Sequence, residues 1–169
     1  EAERKAREEA ERKAKEEAER KEAERKEAER KEAEKTERSN KINSIKSSIT
    51  GIISRIQGKI SSYNKTDKLY RKKVTFLESA LKALNKANKT LDLLQTNLDS
   101  IKNNLFTGYL SQINGSVEKI DNSVSNAMKA ITDRAVQNAL TDYSKGIGNA
   151  SETIDKVSKS INEMLQKQA

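Results

Sequence analysis

The chain has 169 residues, 36% of them charged and 33% hydrophobic, with a net charge of +8; that length usually means one domain, but this balance is a poor recipe for a thick globular core. Cysteine and histidine are absent, which removes disulfides, thiolate chemistry, the usual zinc sites and the commonest general base near neutral pH. Proline is also absent and aromatics are only 4%, so long uninterrupted helices are expected and no enzyme, cofactor, metal or small-molecule site is.

Residues 1–38 carry 14 Lys/Arg and 15 Glu in low-complexity units such as Lys21-Glu22-Ala23-Glu24-Arg25. Glu precedes Lys or Arg by four residues at Glu1 and Lys5, Glu8 and Arg12, Glu9 and Lys13, Glu22 and Lys26, and Glu27 and Lys31. Each such pair adds about 0.2–0.5 kcal/mol to an isolated helix built from strong helix formers. The alanines at 2, 6, 10, 14, 18, 23, 28 and 33 drift around the helix and form no stripe, so the segment reads as a charged single α-helix, a solvated rod or spacer of roughly 55 Å.

From Ile42 the pattern changes. Ile42, Ile45, Ile49, Ile52, Ile56, Ile60 and Tyr63 step by threes and fours, and the stripe resumes at Tyr70, Val74, Leu77, Leu81, Leu84, Ala87, Leu91, Leu94, Leu98, Ile101 and Leu105. A second stripe takes Leu110, Ile113, Val117, Ile120, Val124, Ala127, Ile131, Ala135, Ala139, Tyr143, Ile147, Ile154, Val157, Ile161 and Leu165. These a/d-like runs predict an all-α domain over 39–169: an elongated antiparallel helical hairpin or coiled coil.

Leu105, Phe106, Gly108 and Tyr109 stand where the stripes meet, so the turn is placed near 105–109, with Gly108 ending one helix and Leu105 and Phe106 closing the seam. Weak points at 61–67 and 143–149 would face each other across the hairpin. If both break, the arms fold back into a four-helix bundle; the extended hairpin is the preferred form. A two-helix pair buries one face of each helix, so a homodimer or a helical protein partner is expected.

Segment 41–73 holds nine basic residues against Asp67 alone. Its densest part, Lys59, Lys65, Lys68, Arg71, Lys72 and Lys73, reads as a solvated basic face first, an acidic protein's docking face second, and a nucleic-acid or anionic-membrane contact third. No run approaches 18 apolar residues and no signal-peptide pattern is visible, so no transmembrane segment is expected.

The stretch 73–134 includes Leu77-Glu78-Ser79-Ala80-Leu81-Lys82-Ala83-Leu84, Leu98-Asp99-Ser100-Ile101 and Phe106-Thr107-Gly108. It resembles the small helical hairpins of bacterial type VII secretion, in which a Trp-x-Gly turn separates two antiparallel helices, and more so the longer hairpins associated with LXG toxins. Phe106 stands where that turn has Trp, and no Tyr-x-x-x-Asp/Glu export signal follows the second helix. The resemblance implies a bacterial, non-enzymatic adaptor or targeting partner of a secreted toxin, held in the cytoplasm or secreted with its partner. The alternative from the residues alone is a structural stalk: a charged rod joined to a coiled-coil module of an extended protein.

Overall fold

The computed structural model describes residues 1–168. Four α-helices follow one another, α1 (Ala2–Ser62), α2 (Tyr70–Thr96), α3 (Asn103–Ala127) and α4 (Asp133–Gln168), with a short 3-10 turn at Leu98–Ser100 between α2 and α3. The chain is all-α, with antiparallel hairpin packing, and it divides into two compact units, Glu1–Ser39 and Asn40–Ala169. No helix among the described residues is long and apolar enough to cross a membrane.

The first unit is helix with its side chains in solvent through Glu37. The expected pair of Glu9 and Lys13 forms at 3.6 Å, but arginine organises most of the surface. Arg25 reaches back to Glu22 at 3.0 Å and forward to Glu29 at 2.6 Å; Arg30 does the same with Glu27 at 3.0 Å and Glu34 at 2.7 Å. A forked guanidinium can serve carboxylates on both sides, which an ammonium on a flexible stem does less well. Exposed pairs of this kind stabilise a helix by only tenths of a kcal/mol each, so their number matters more than any one of them.

In the second unit the width of each buried face decides where its helix sits. The end of α1 buries one narrow stripe, Ile42, Ile45, Ile49, Ile52 and Ile56, and α4 another, Val136, Leu140, Ile147, Ala150, Ile154, Val157 and Ile161. Helix α2 buries doubled positions, Phe76 with Leu77, Ala83 with Leu84, and Thr90 with Leu91; α3 does so with Ser116 and Val117, and Ser123 and Val124. A doubled stripe faces two neighbours. Helices α2, α3 and α4 pack on one another, with α1 outermost against α2 and α3.

Pairings between helices agree with this. Lys46 of α1 meets Asp92 of α2, and Arg55 of α1 meets Asp121 of α3. Lys86 of α2 lies 3.2 Å from Asp155 of α4, and the side-chain amide of Gln168 donates to the Ser100 carbonyl at 3.0 Å. The backbones of α3 and α4 approach most closely, where Ser123 faces Gly146. The isoleucines of α1 keep it further out.

The reversal expected near 105–109 is made earlier, over 97–102. Asn97 closes α2 twice, its amide N–H donating to the Leu94 carbonyl at 3.2 Å and its side chain to the Leu93 carbonyl at 2.8 Å. The chain then passes through the 3-10 turn, an extended Ile101 (φ −113, ψ 122) and Lys102 (φ −64, ψ 146) into α3. Leu98 and Ile101 are buried, so the turn is held by its own apolar residues. No described residue has a positive φ, and a reversal of this kind needs no glycine.

Residues Leu105, Phe106, Gly108 and Tyr109 therefore lie within the first turns of α3. The extended form gives way to the folded-back one, because the chain breaks at 63–69 and again at 128–132. The weak point near 61–67 is found; the one at 143–149 is helix, and its partner break comes earlier. Thr132 begins α4, its hydroxyl accepting from the Ala135 N–H at 3.2 Å and its carbonyl from the Val136 N–H at 2.8 Å. That restart shifts the stripe's phase from Ala135 and Ala139 to Val136 and Leu140, and leaves Ile131 outside the core.

Candidate functional site: a basic groove and the loop end of the bundle

The connection 63–69 is built by its own polar side chains. Asn64 Oδ1 accepts from the Thr66 N–H at 3.0 Å and from its hydroxyl at 2.8 Å, an Asx turn. Asp67 accepts the Leu69 N–H at 2.9 Å through Oδ1 and the Lys73 ammonium at 2.7 Å through Oδ2. The same ammonium stands 5.1 Å from the centre of the Tyr63 ring, close enough for a cation–π attraction. Tyr63 Oη donates to Met128 Sδ at 2.8 Å, tying this connection to the end of α3.

These contacts bias two titrations. The hydrogen bond from Lys73, followed by that from the Leu69 N–H, holds the Asp67 carboxyl below its ordinary range. Burial, followed by the nearby Asp67 charge, pushes the Tyr63 hydroxyl up. Lys73 is consequently a clamp within the loop.

The other basic residues singled out in the sequence point elsewhere. Lys59, Lys65, Lys68, Arg71 and Lys72 are exposed. Arg71 and Lys72, in the first turn of α2, also open onto a groove of about 650 Å³ between α2 and α4. Its walls carry two further cations, Lys82 and Lys86, and its floor is apolar, with Phe76, Ala83, Leu140 and Ile147. Five hydroxyls line it, from Thr75, Ser79, Thr141, Ser144 and Ser151, and no described lining residue is a carboxylate.

Three of those hydroxyls donate to their own helix, Ser79 to the Phe76 carbonyl at 2.6 Å, Thr141 to the Gln137 carbonyl at 3.1 Å and Ser144 to the Leu140 carbonyl. Lys86 spans the groove, 3.2 Å from Ser151 Oγ and 3.2 Å from Asp155 Oδ2. The groove thus sets four cations, Arg71, Lys72, Lys82 and Lys86, beside an apolar floor. The sequence reading missed Lys82 and Lys86, although Lys72, Thr75, Ser79, Lys82 and Lys86 recur at helical spacing and announce a polar stripe beside the core stripe.

The turn residues do not form a site with these. Phe106 is fully buried in the core, Tyr109 is half-buried, and Leu105 is 37% exposed at the opposite end of α3 from Met128. The chain matches no family model, no curated protein and no solved structure. Fold and surface chemistry alone carry the functional reading.

Proposed function

We propose that this chain is a non-enzymatic helical interaction protein that receives an acidic, amphipathic segment of a helical protein partner in the groove between α2 and α4. The observation that carries this is the pairing of Arg71, Lys72, Lys82 and Lys86 with the apolar floor of Phe76, Leu140 and Ile147. Cations on the rim suppress unsuitable partners and speed encounter, while the floor supplies the area that fixes the complex. A type VII toxin as that partner has only residue texture behind it, since Phe106-Thr107-Gly108 lies within α3.

The test is a titration of the whole chain with a labelled helical peptide bearing Glu on one face and Leu on the other. The double variant Lys82→Glu, Lys86→Glu should weaken it at least about tenfold, in line with the coupling of close charge pairs at interfaces. Equal affinity for both proteins would refute the groove.

A second reading, a spacer or stalk, is favoured by the exposed helix of the first unit, whose side chains through Glu37 all face solvent. A helix of this composition holds a length without needing a partner. Replacing 1–34 by a flexible Gly/Ser linker of equal residue number should leave peptide binding intact but abolish any function that needs a fixed span; retained function would remove the stalk reading.

A further inference from the structure

Beyond the partner-binding groove, and on different residues, we propose that the end of the bundle formed by connections 63–69 and 128–132 docks on an anionic lipid surface, with Ile131 entering the headgroup region. The two connections share one end because Tyr63 Oη donates to Met128 Sδ at 2.8 Å. Residues 59–73 and 128–134 together hold eight basic and two acidic side chains. One of those acids, Asp67, is already engaged by Lys73 at 2.7 Å. Among the described residues, no ion pair involves Lys59, Lys65, Lys68, Lys129 or Arg134.

Ile131 supplies the second, independent observation. It is 92% exposed, and the only other exposed large hydrophobic among the described residues is Leu105 at 37%. A lone surface isoleucine needs no explanation by itself. This one, however, stands in a connection at the very end where the free cations converge, between Lys129 and Arg134. A membrane interface rewards that combination, because anionic headgroups attract nearby Lys and Arg and the acyl boundary takes the apolar tip. A phosphodiester backbone would use the cations but give Ile131 nothing, and no exposed aromatic platform for bases stands beside it.

The experiment is co-sedimentation of the full chain with vesicles of phosphatidylcholine and phosphatidylserine in equal parts, against phosphatidylcholine alone, with duplex DNA as a separate arm. Binding to the mixed vesicles alone is expected, weakening as salt is added. Ile131→Asp should lower vesicle affinity about tenfold and Lys65→Glu with Lys68→Glu about a hundredfold, from the loss of apolar entry and of lipid attraction respectively. Both sites are exposed, so circular dichroism should show unchanged melting. Lys82→Glu with Lys86→Glu, which disables the groove, should leave vesicle binding within about twofold, because screening confines the attraction to charges near the surface. The proposal is overturned by equal binding to both vesicle types, by no vesicle binding, or by Ile131→Asp binding as well as the parent. DNA binding that matches the vesicle affinity and ignores Ile131→Asp would overturn it in favour of nucleic acid.

Discussion

Gly146 of α4 and Ser123 of α3 are so close that a β-carbon on Gly146 would stand 2.6 Å from the Ser123 hydroxyl oxygen and 3.8 Å from its β-carbon. The helical gain of about 1 kcal/mol for Gly→Ala is opposed there by the cost of turning Ser123 out of its rotamer. Gly146→Ala alone should therefore change stability little. In a Ser123→Ala background the same change should stabilise by about 1 kcal/mol, and urea unfolding of the four proteins of that cycle reads the coupling. Additive effects would mean that the close approach is absent.

Gly108 gives the sharper contrast, since nothing lies within 4 Å of a β-carbon added there and the residue is helical. Gly108→Ala should stabilise the bundle by about 1 kcal/mol in urea unfolding. A loss of similar size would return the chain reversal to that glycine.

Asp67 ties stability to pH on the acid side. Its carboxyl is lowered in the folded state, so its contribution is complete above the ordinary aspartate range and is lost as pH falls through the lowered value. Tyr63 is raised, and its contribution is lost as pH climbs from the ordinary tyrosine range toward the higher value. The denaturant midpoint of the parent should fall at both extremes. Asp67→Asn should flatten the acid limb and Tyr63→Phe the alkaline one; parallel profiles would show that neither group is linked to folding.

Leu91 and Leu105 both belong to the expected stripe, yet Leu91 is fully buried and Leu105 is 37% exposed. Leu91→Ala should cost about 2–5 kcal/mol, and Leu105→Ala less than about 1 kcal/mol. Comparable losses at the two positions would place Leu105 in a buried interface.

Asn88 Oδ1 is buried without a hydrogen-bond partner among the described residues. An orphaned acceptor of this kind costs about 1–3 kcal/mol. Asn88→Ala should raise the thermal midpoint, and a fall would reveal a partner for the amide.

Periodicity found what burial of a repeating face controls. The isoleucines at 42, 45, 49, 52 and 56 are core, as are Leu77, Leu84, Leu91 and Leu94. It failed where a break resets the phase: Ile131, Ala135 and Ala139 continued the count, but Thr132 restarts the helix and brings Val136 and Leu140 inward. Gly108 misled for a different reason, because a turn through 3-10 and extended backbone leaves no glycine mark, and its signal, Asn97 binding the Leu93 carbonyl four residues back, is a local cap that many asparagines of the chain could equally offer. Of the basic residues, Arg71 and Lys72 reach the groove and Lys73 is spent on Asp67 and Tyr63. Charge density located the region; which cations remain available depends on neighbours that only folding brings.

The narrow isoleucine stripe of α1 also sets an order of opening. Helices α2, α3 and α4 pack closely on one another, whereas α1 stands further off and is held by one row of side chains. Amide protons along 42–62 should then exchange through a partial opening of lower free energy than the one that releases α2 and α3. Such an opening would release the Lys46–Asp92 and Arg55–Asp121 pairs, while the three remaining helices keep their pairing. The bundle thus contains a detachable layer, and its energetic seam follows the row from Ile42 to Ile56.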